Sequence, residues 1–287
     1  MTRLLRLIGA TLAVLLVPMV LPWSMARADE PSAPAEGLRT EVDLALVLAV
    51  DVSYSMDPDE QALQREGFVE AFRSALVKDA IGRGQLGRIA VTYFEWAGAG
   101  DQRTVLPWTL IDGPASANAF ADALTTKPTR RASRTSISGA LDYATKLIGE
   151  APFDSMRRVI DVSGDGPNNS GRPIQAARAD TLARGITVNG LPLMLKAPGY
   201  YDIPDLDLYY RDCVIGGVGA FMVPVRDRDQ FREAVKTKIV LEVASADVAR
   251  RYAAAPPPDR PGIILAQAGG GANCLAGEAL WRDRMGN

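Results

Sequence analysis

The chain is expected to form a doubly wound α/β fold: a six-stranded, mostly parallel sheet with helices on both faces. Three observations point there. Short branched-apolar runs such as Leu44–Val50 end abruptly in turn residues, as strands buried on both faces do. Segments with apolar residues three and four apart lie between those runs, as core-facing helices require. Strand and helix alternate along most of the chain, and right-handed crossovers turn that alternation into an open parallel sheet.

The elements follow in order. The first strand ends in Asp51, and a helix over Asp59–Lys78 buries Leu63, Phe68, Val69, Phe72 and Leu76. Gly82, Gly84 and Gly87 turn the chain into strand 2, Arg88–Glu95. A Gly-rich turn, Trp96–Asp101, leads to strand 3, Arg103–Ile111, read as antiparallel to strand 2. Gly113-Pro114 opens a helix to Thr125, and a basic loop, Lys127–Arg134, precedes a helix reaching about Ile148. Strand 4 is Arg157–Ser163, and helix Pro173–Arg184 closes at Gly185. Strand 5 is Ile186–Met194. A long connection, Leu195–Gly217, holds a short helix near Leu206–Arg211. Strand 6 is Ala220–Val225 and the last helix is Arg228–Glu242.

Both flanks read differently. Residues 1–28 have the pattern of an export signal: Arg3 and Arg6, an apolar middle Leu7–Leu21, then Ala26-Arg27-Ala28 before Asp29. That implies an exported chain, periplasmic or secreted after cleavage. Residues 29–40 read as a flexible leader and 41–244 as the folded domain. Residues 245–287, rich in Ala, Pro and Gly, read as a mostly disordered tail.

Composition narrows the chemistry. Hydrophobic residues make up 47%, enough for a real core. The net charge of −2 gives no general attraction to nucleic acid or an anionic membrane. There is no histidine, which excludes a His base, a His-ligated zinc and a Ser-His-Asp triad.

Following the chain's direction across the sheet, strands 1 and 4 both run toward one rim. Asp51, Ser53, Ser55, Thr135 and Asp165 all reach that rim, where the sheet's change of winding opens a crevice. Two carboxylates and three hydroxyls are hard oxygen donors suited to Mg²⁺ or Mn²⁺. Hydroxyls leave the ion with residual charge, and an open position would accept an Asp or Glu carboxylate from a protein partner.

The run Asp51-x-Ser53-x-Ser55, with Thr135 opening a helix and Asp165-Gly166 after a buried strand, resembles the metal-ion-dependent adhesion site of von Willebrand factor A-type domains. The resemblance spans about residues 41–243 and implies strand order 3-2-1-4-5-6 with strand 3 antiparallel. Tyr93–Gly98 and Tyr210–Gly217 further resemble an exported bacterial subfamily of unknown function, DUF1194, which implies no activity. The resemblance therefore implies a non-enzymatic, divalent-metal-dependent module for protein–protein interaction. The alternatives are a metal-dependent hydrolase or phosphatase and a scaffold with an idle metal site. Against the phosphatase, the position two residues after Asp51 is Ser53 rather than a second Asp.

Several residues leave two readings open. Asp161 is either a buried acid behind the site or a competitor of Asp165, whose strand-end position is the better placed. Arg130, Arg131 and Arg134, with Lys127, form either a cationic collar for acidic partners or a solvated loop. Trp96, Tyr200 and Tyr201 share the partner surface, unless Trp96 packs beneath it. Cys213 and Cys274 either form a disulfide pinning the tail or leave Cys213 buried and free.

Overall fold

A computed structural model describes residues 39–199, 202–244, 246–255, 261–267 and 270–286. Residues 1–28, which read as an export signal, nearly all of the expected leader, and Tyr200 and Tyr201 lie outside the described residues. Among the described residues, no helix is long and apolar enough to cross a membrane.

The central strand is β1, Thr40–Asp51, flanked in parallel by β2, Ile89–Trp96, and β4, Phe153–Gly164. Strand β3, Gln102–Ile111, is antiparallel to β2 and forms one edge. On the other side lie β5, Thr187–Pro192, β6, Phe221–Met222, and β7, Ile264–Leu265. The order is β3-β2-β1-β4-β5-β6-β7, so the expected order stands with a seventh, antiparallel strand added. Because β1 is central, its side chains are buried alternately on two faces. Leu44, Leu46, Leu48 and Val50 pack in one cluster with Phe68, Phe72 and Phe231. Val47 and Ala49 pack in the other with Ile137, Leu141 and Ile174.

The helix after β1 breaks where one continuous helix was expected. Helix α1 is Pro58–Arg73 and α2 is Ala75–Gly82. Ser74 between them has extended backbone angles; its Oγ donates to Ala71 O at 2.7 Å and accepts from Val77 N at 3.3 Å. A serine that caps on both sides competes with the helix itself, which apolar spacing does not reveal. Helices α3, Pro114–Thr125, α4, Ile137–Gly149, and α5, Ile174–Ala183, follow as read. Helix α6, Leu206–Tyr209, runs into a π-helical turn, Tyr210–Val214, and α7 is Phe231–Val243. Arg157 on β4 ends α7 by donating to the carbonyls of Glu242, Val243 and Ala244 at 3.0, 2.6 and 2.8 Å.

Beyond residue 245 the chain carries more structure than its composition suggests. Helix α8, Ala246–Ala254, packs Val248 and Tyr252 on the core. Strand β7 pairs with β6, and α9, Ala276–Gly286, follows a disulfide between Cys213 and Cys274, whose Cα atoms are 5.5 Å apart. The apolar trio Ile263–Leu265 is too short to mark an independent core; it is ordered by a sheet edge supplied from elsewhere.

Asp161 points away from the rim. It meets Lys238 of α7 at 2.7 Å, and Lys238 also pairs with Glu242; all three are buried. Burial raises the carboxyls of Asp161 and Glu242, the latter to about 7. Replacing Lys238 by Met alone strands two buried acids and should cost roughly 3–5 kcal/mol in urea denaturation. A Glu242 value above the ordinary 4.5 means that the folded state holds the extra proton between those two pH values. Its contribution to stability is therefore greatest below pH 4.5 and is lost as pH rises through about 7. The Glu242→Gln variant should show a shallower decline than wild type across that window.

Candidate functional site

The carboxyl ends of β1 and β4 meet on one rim, with α1 leaving β1 toward one face and α5 following β4 on the other. That divergence is where a parallel sheet opens a crevice. Asp51 ends β1, and its Oδ1 accepts the Ser53 N–H at 2.7 Å, fixing the turn. Ser53 and Ser55 share a hydrogen bond between hydroxyls at 2.8 Å, and Ser55 Oγ donates to Asp165 Oδ1 at 2.6 Å. Four of the five expected donors thus form one chain of contacts across 110 residues of sequence.

Thr135 enters from the α4 side. Its N–H donates to Asn169 Oδ1 at 2.9 Å and its carbonyl accepts the Asn169 N–H at 2.8 Å. Its hydroxyl lies 4.0 Å from where a Cβ on Gly166 would stand, so it faces the Asp165-Gly166 loop. Asn168 reinforces the same junction by accepting the Ser138 N–H at 2.9 Å. The sequence signal for these supports was Asn168-Asn169 directly after Asp165-Gly166-Pro167.

The site is strongly electronegative inside. Asp51 is fully buried, and among the described residues its Oδ2 has no hydrogen-bond partner. Burial, and then the neighbouring Asp165, raise the Asp51 carboxyl well above the carboxylate range. Burial is also the main cause lifting Asp165 to about 6. Among the described residues no Lys or Arg forms an ion pair with either. The Tyr210 hydroxyl stands nearby: a Cβ on Gly164 would come within 2.8 Å of Asp51 Oδ2 and 3.1 Å of Tyr210 Oη. Gly164 is thus required by the close approach of the two groups. Burial pushes the Tyr210 hydroxyl up, with Asp51 and Asp165 adding to it, so it stays protonated.

Among the described residues no three His, Cys, Asp or Glu side chains cluster as a metal site. The donor set here is of another kind, two carboxylates with neighbouring hydroxyls. An unpartnered buried carboxylate oxygen and an all-oxygen donor set fit a small hard cation.

The expected partner surface is rearranged. Trp96 is fully buried beneath the rim, so no partner can reach it. Arg130 is drawn inward, pairing with Asp101 at 2.6 Å and with Glu95 at 3.2 Å. Glu95 is a buried acid that also pairs with Arg65, and this internal demand takes Arg130 out of the collar. Arg131 donates to Tyr54 O at 2.7 Å and lies over the Tyr54 ring, which is 60% exposed beside the Ser53–Ser55 turn. Arg134 stacks on Trp281 of α9 at 3.9 Å. Lys196, which no motif indicated, holds Ser55 O at 2.9 Å and Glu60 at 2.5 Å. A groove of about 340 Å³ continues from Ser55 and Asp165 past Leu193, Lys196, Ile203 and Arg226.

With the geometry in place, the chain can be compared with known proteins. The model of a family described as a protein of unknown function, DUF1194, matches residues 41–247. The chain belongs to that family. DUF1194 members share no named activity through that description, and no curated protein matches this sequence. Among solved structures, the pilus adhesin SpaC of Lactobacillus rhamnosus GG is similar over 71% of this chain and 31% of its own, at 11% identity and TM-score 0.55. Proximal thread matrix protein 1 of the mussel byssus is similar over 71% and 49%, at 13% identity and TM-score 0.53. A von Willebrand factor type A protein of Catenulispora acidiphila covers 70% and 43%, at 16% identity and TM-score 0.48. This DUF1194 chain thus spans less than half the length of each. Its fold, a mixed sheet flanked by helices, is similar to that of the SpaC adhesin and of the byssus matrix protein.

The Asn169→Ala variant should lose the acceptor for the buried Thr135 N–H and cost about 1–3 kcal/mol of stability in urea denaturation. Its far-ultraviolet circular dichroism should be unchanged.

Proposed function

We propose that this DUF1194 chain is an exported, non-enzymatic module that binds an acidic protein ligand through Mg²⁺ or Mn²⁺. The observation that carries this reading is the contact chain Asp51–Ser53–Ser55–Asp165, with Asp51 Oδ2 buried and, among the described residues, without a hydrogen-bond partner. Asp51, Ser53, Ser55, Thr135 and Asp165 would hold the ion, directly or through water. When bound, the ion supplies a positive charge able to accept a carboxylate oxygen from an Asp or Glu of the partner.

The chain's own residues do the rest. Asn168 and Asn169 keep the Thr135 and Asp165 loops together. Tyr54 and Arg131 flank the site and present one exposed aromatic and one cation to an acidic ligand, while Lys196 holds the Ser55 turn in place. The groove past Leu193 and Ile203 offers apolar surface for a neighbouring side chain. A pilus adhesin and a byssus thread matrix protein among the structural neighbours are in keeping with a binding role. Against an enzyme that needs an imidazole base, no histidine is available.

Calorimetric titration decides the metal claim. Mg²⁺ or Mn²⁺ should give a saturable heat with wild type and none with Asp51→Ala; equal heats from both proteins would refute it. The metal-loaded protein should also stay at background in phosphatase and esterase screens.

A further inference from the structure

Residues beyond Ala272 return to the rim and touch three elements that frame the site. At the π turn, Cys274 is bonded to Cys213, and the Ala272 N–H donates to Asp212 Oδ2 at 3.1 Å. That turn carries Tyr210, whose hydroxyl stands beside Asp51. At the Asp165 loop, Glu278 Oε1 accepts the Asn168 side-chain amide at 2.8 Å. Gly277 lies so close that a Cβ there would sit 2.1 Å from Asn168 O. At the Thr135 loop, the Trp281 ring carries the Arg134 guanidinium at 3.9 Å.

Arg134 is itself unusual. It is the only non-glycine residue with a positive φ among the described residues, at 73°. The left-handed region is unfavourable for a residue with a Cβ, so something must hold it there. Arg134 directly precedes Thr135, and Asn168 directly precedes Asn169, which clasps Thr135 through two hydrogen bonds. Contacts from α9 therefore fall on the residue next to each half of that clasp.

We propose that the C-terminal segment 272–284 is a disulfide-tethered brace belonging to the site, with Gly277, Glu278 and Trp281 as residues positioning Thr135 against Asp165. This rests on the metal-binding reading for its functional consequence and on contact geometry alone for the positioning. A brace of this kind acts as the outer supports of metal ligands do, by fixing ligand orientation before the ion arrives. It would set metal affinity without supplying a ligand.

The test uses the full chain with its disulfide intact and the variants Trp281→Ala, Trp281→Phe and Gly277→Ala. Two readouts are taken: Mg²⁺ affinity by calorimetry, and hydrogen exchange at the Thr135 and Asn169 amides without metal. Trp281→Ala and Gly277→Ala should each weaken Mg²⁺ binding by roughly tenfold or more and speed exchange at both amides. Amides in the middle of β1 should keep their wild-type protection, which separates loosening of the site from general unfolding. Trp281→Phe retains a ring under Arg134 and should recover both properties. Wild-type exchange at both amides in the Ala variants would overturn the brace. So would faster exchange spread equally through β1, which would make α9 a general stabiliser. If wild type gives no Mg²⁺ heat, the metal reading fails alone, and the exchange measurement still decides the positioning.

Discussion

The crowding of two acids, Asp51 and Asp165, at the ends of adjacent parallel strands is the constraint around which this rim is built. Each is raised by burial, and Asp51 is raised further by Asp165. Such a pair is tolerable where hydroxyls and backbone N–H groups satisfy most of its oxygens, or where a proton or a cation neutralises it. The Ser53 N–H and the Ser55 hydroxyl provide the first kind of relief, and among the described residues Asp51 Oδ2 receives none of it. Gly164 belongs to the same constraint, because a side chain there would collide with the acid and with Tyr210.

The two faces of β4 show how one strand serves separate ends. Asp161 is engaged with Lys238 and Glu242 of α7 on one face, while Asp165 lies beyond the strand's end on the rim. Alternation along the strand separates them: Asp161 points into the α1/α7 side of the core, away from the rim. A buried ion triad contributes little net stability compared with apolar packing, but it ties α7 to one register on the sheet.

What the sequence made legible was local. The run Leu44–Val50 ending in Asp51, and the turn motifs after it and after Ser163, fixed the strand ends and hence the rim. The basic loop was legible as a cluster of charges but not as a set of contacts. Arg130 is claimed by Glu95, an acid on β2 whose burial depends on the whole fold. The break at Ser74 was hidden because a capping serine looks like any polar residue on a helix. Trp96 was ambiguous because strand-end residues point into the core or out of it according to a one-residue register. The role of residues after 245 was missed for a related reason: Ile264, Cys274 and Trp281 each find a partner only in distant parts of the chain.

Strand β7 covers β6 and takes its place as the edge of the sheet. Until that late segment docks, the main chain at Phe221 and Met222 is an unsatisfied template for any passing extended peptide. With β7 in place the outward-facing edge is only two residues long, which leaves little main chain for another strand to pair with.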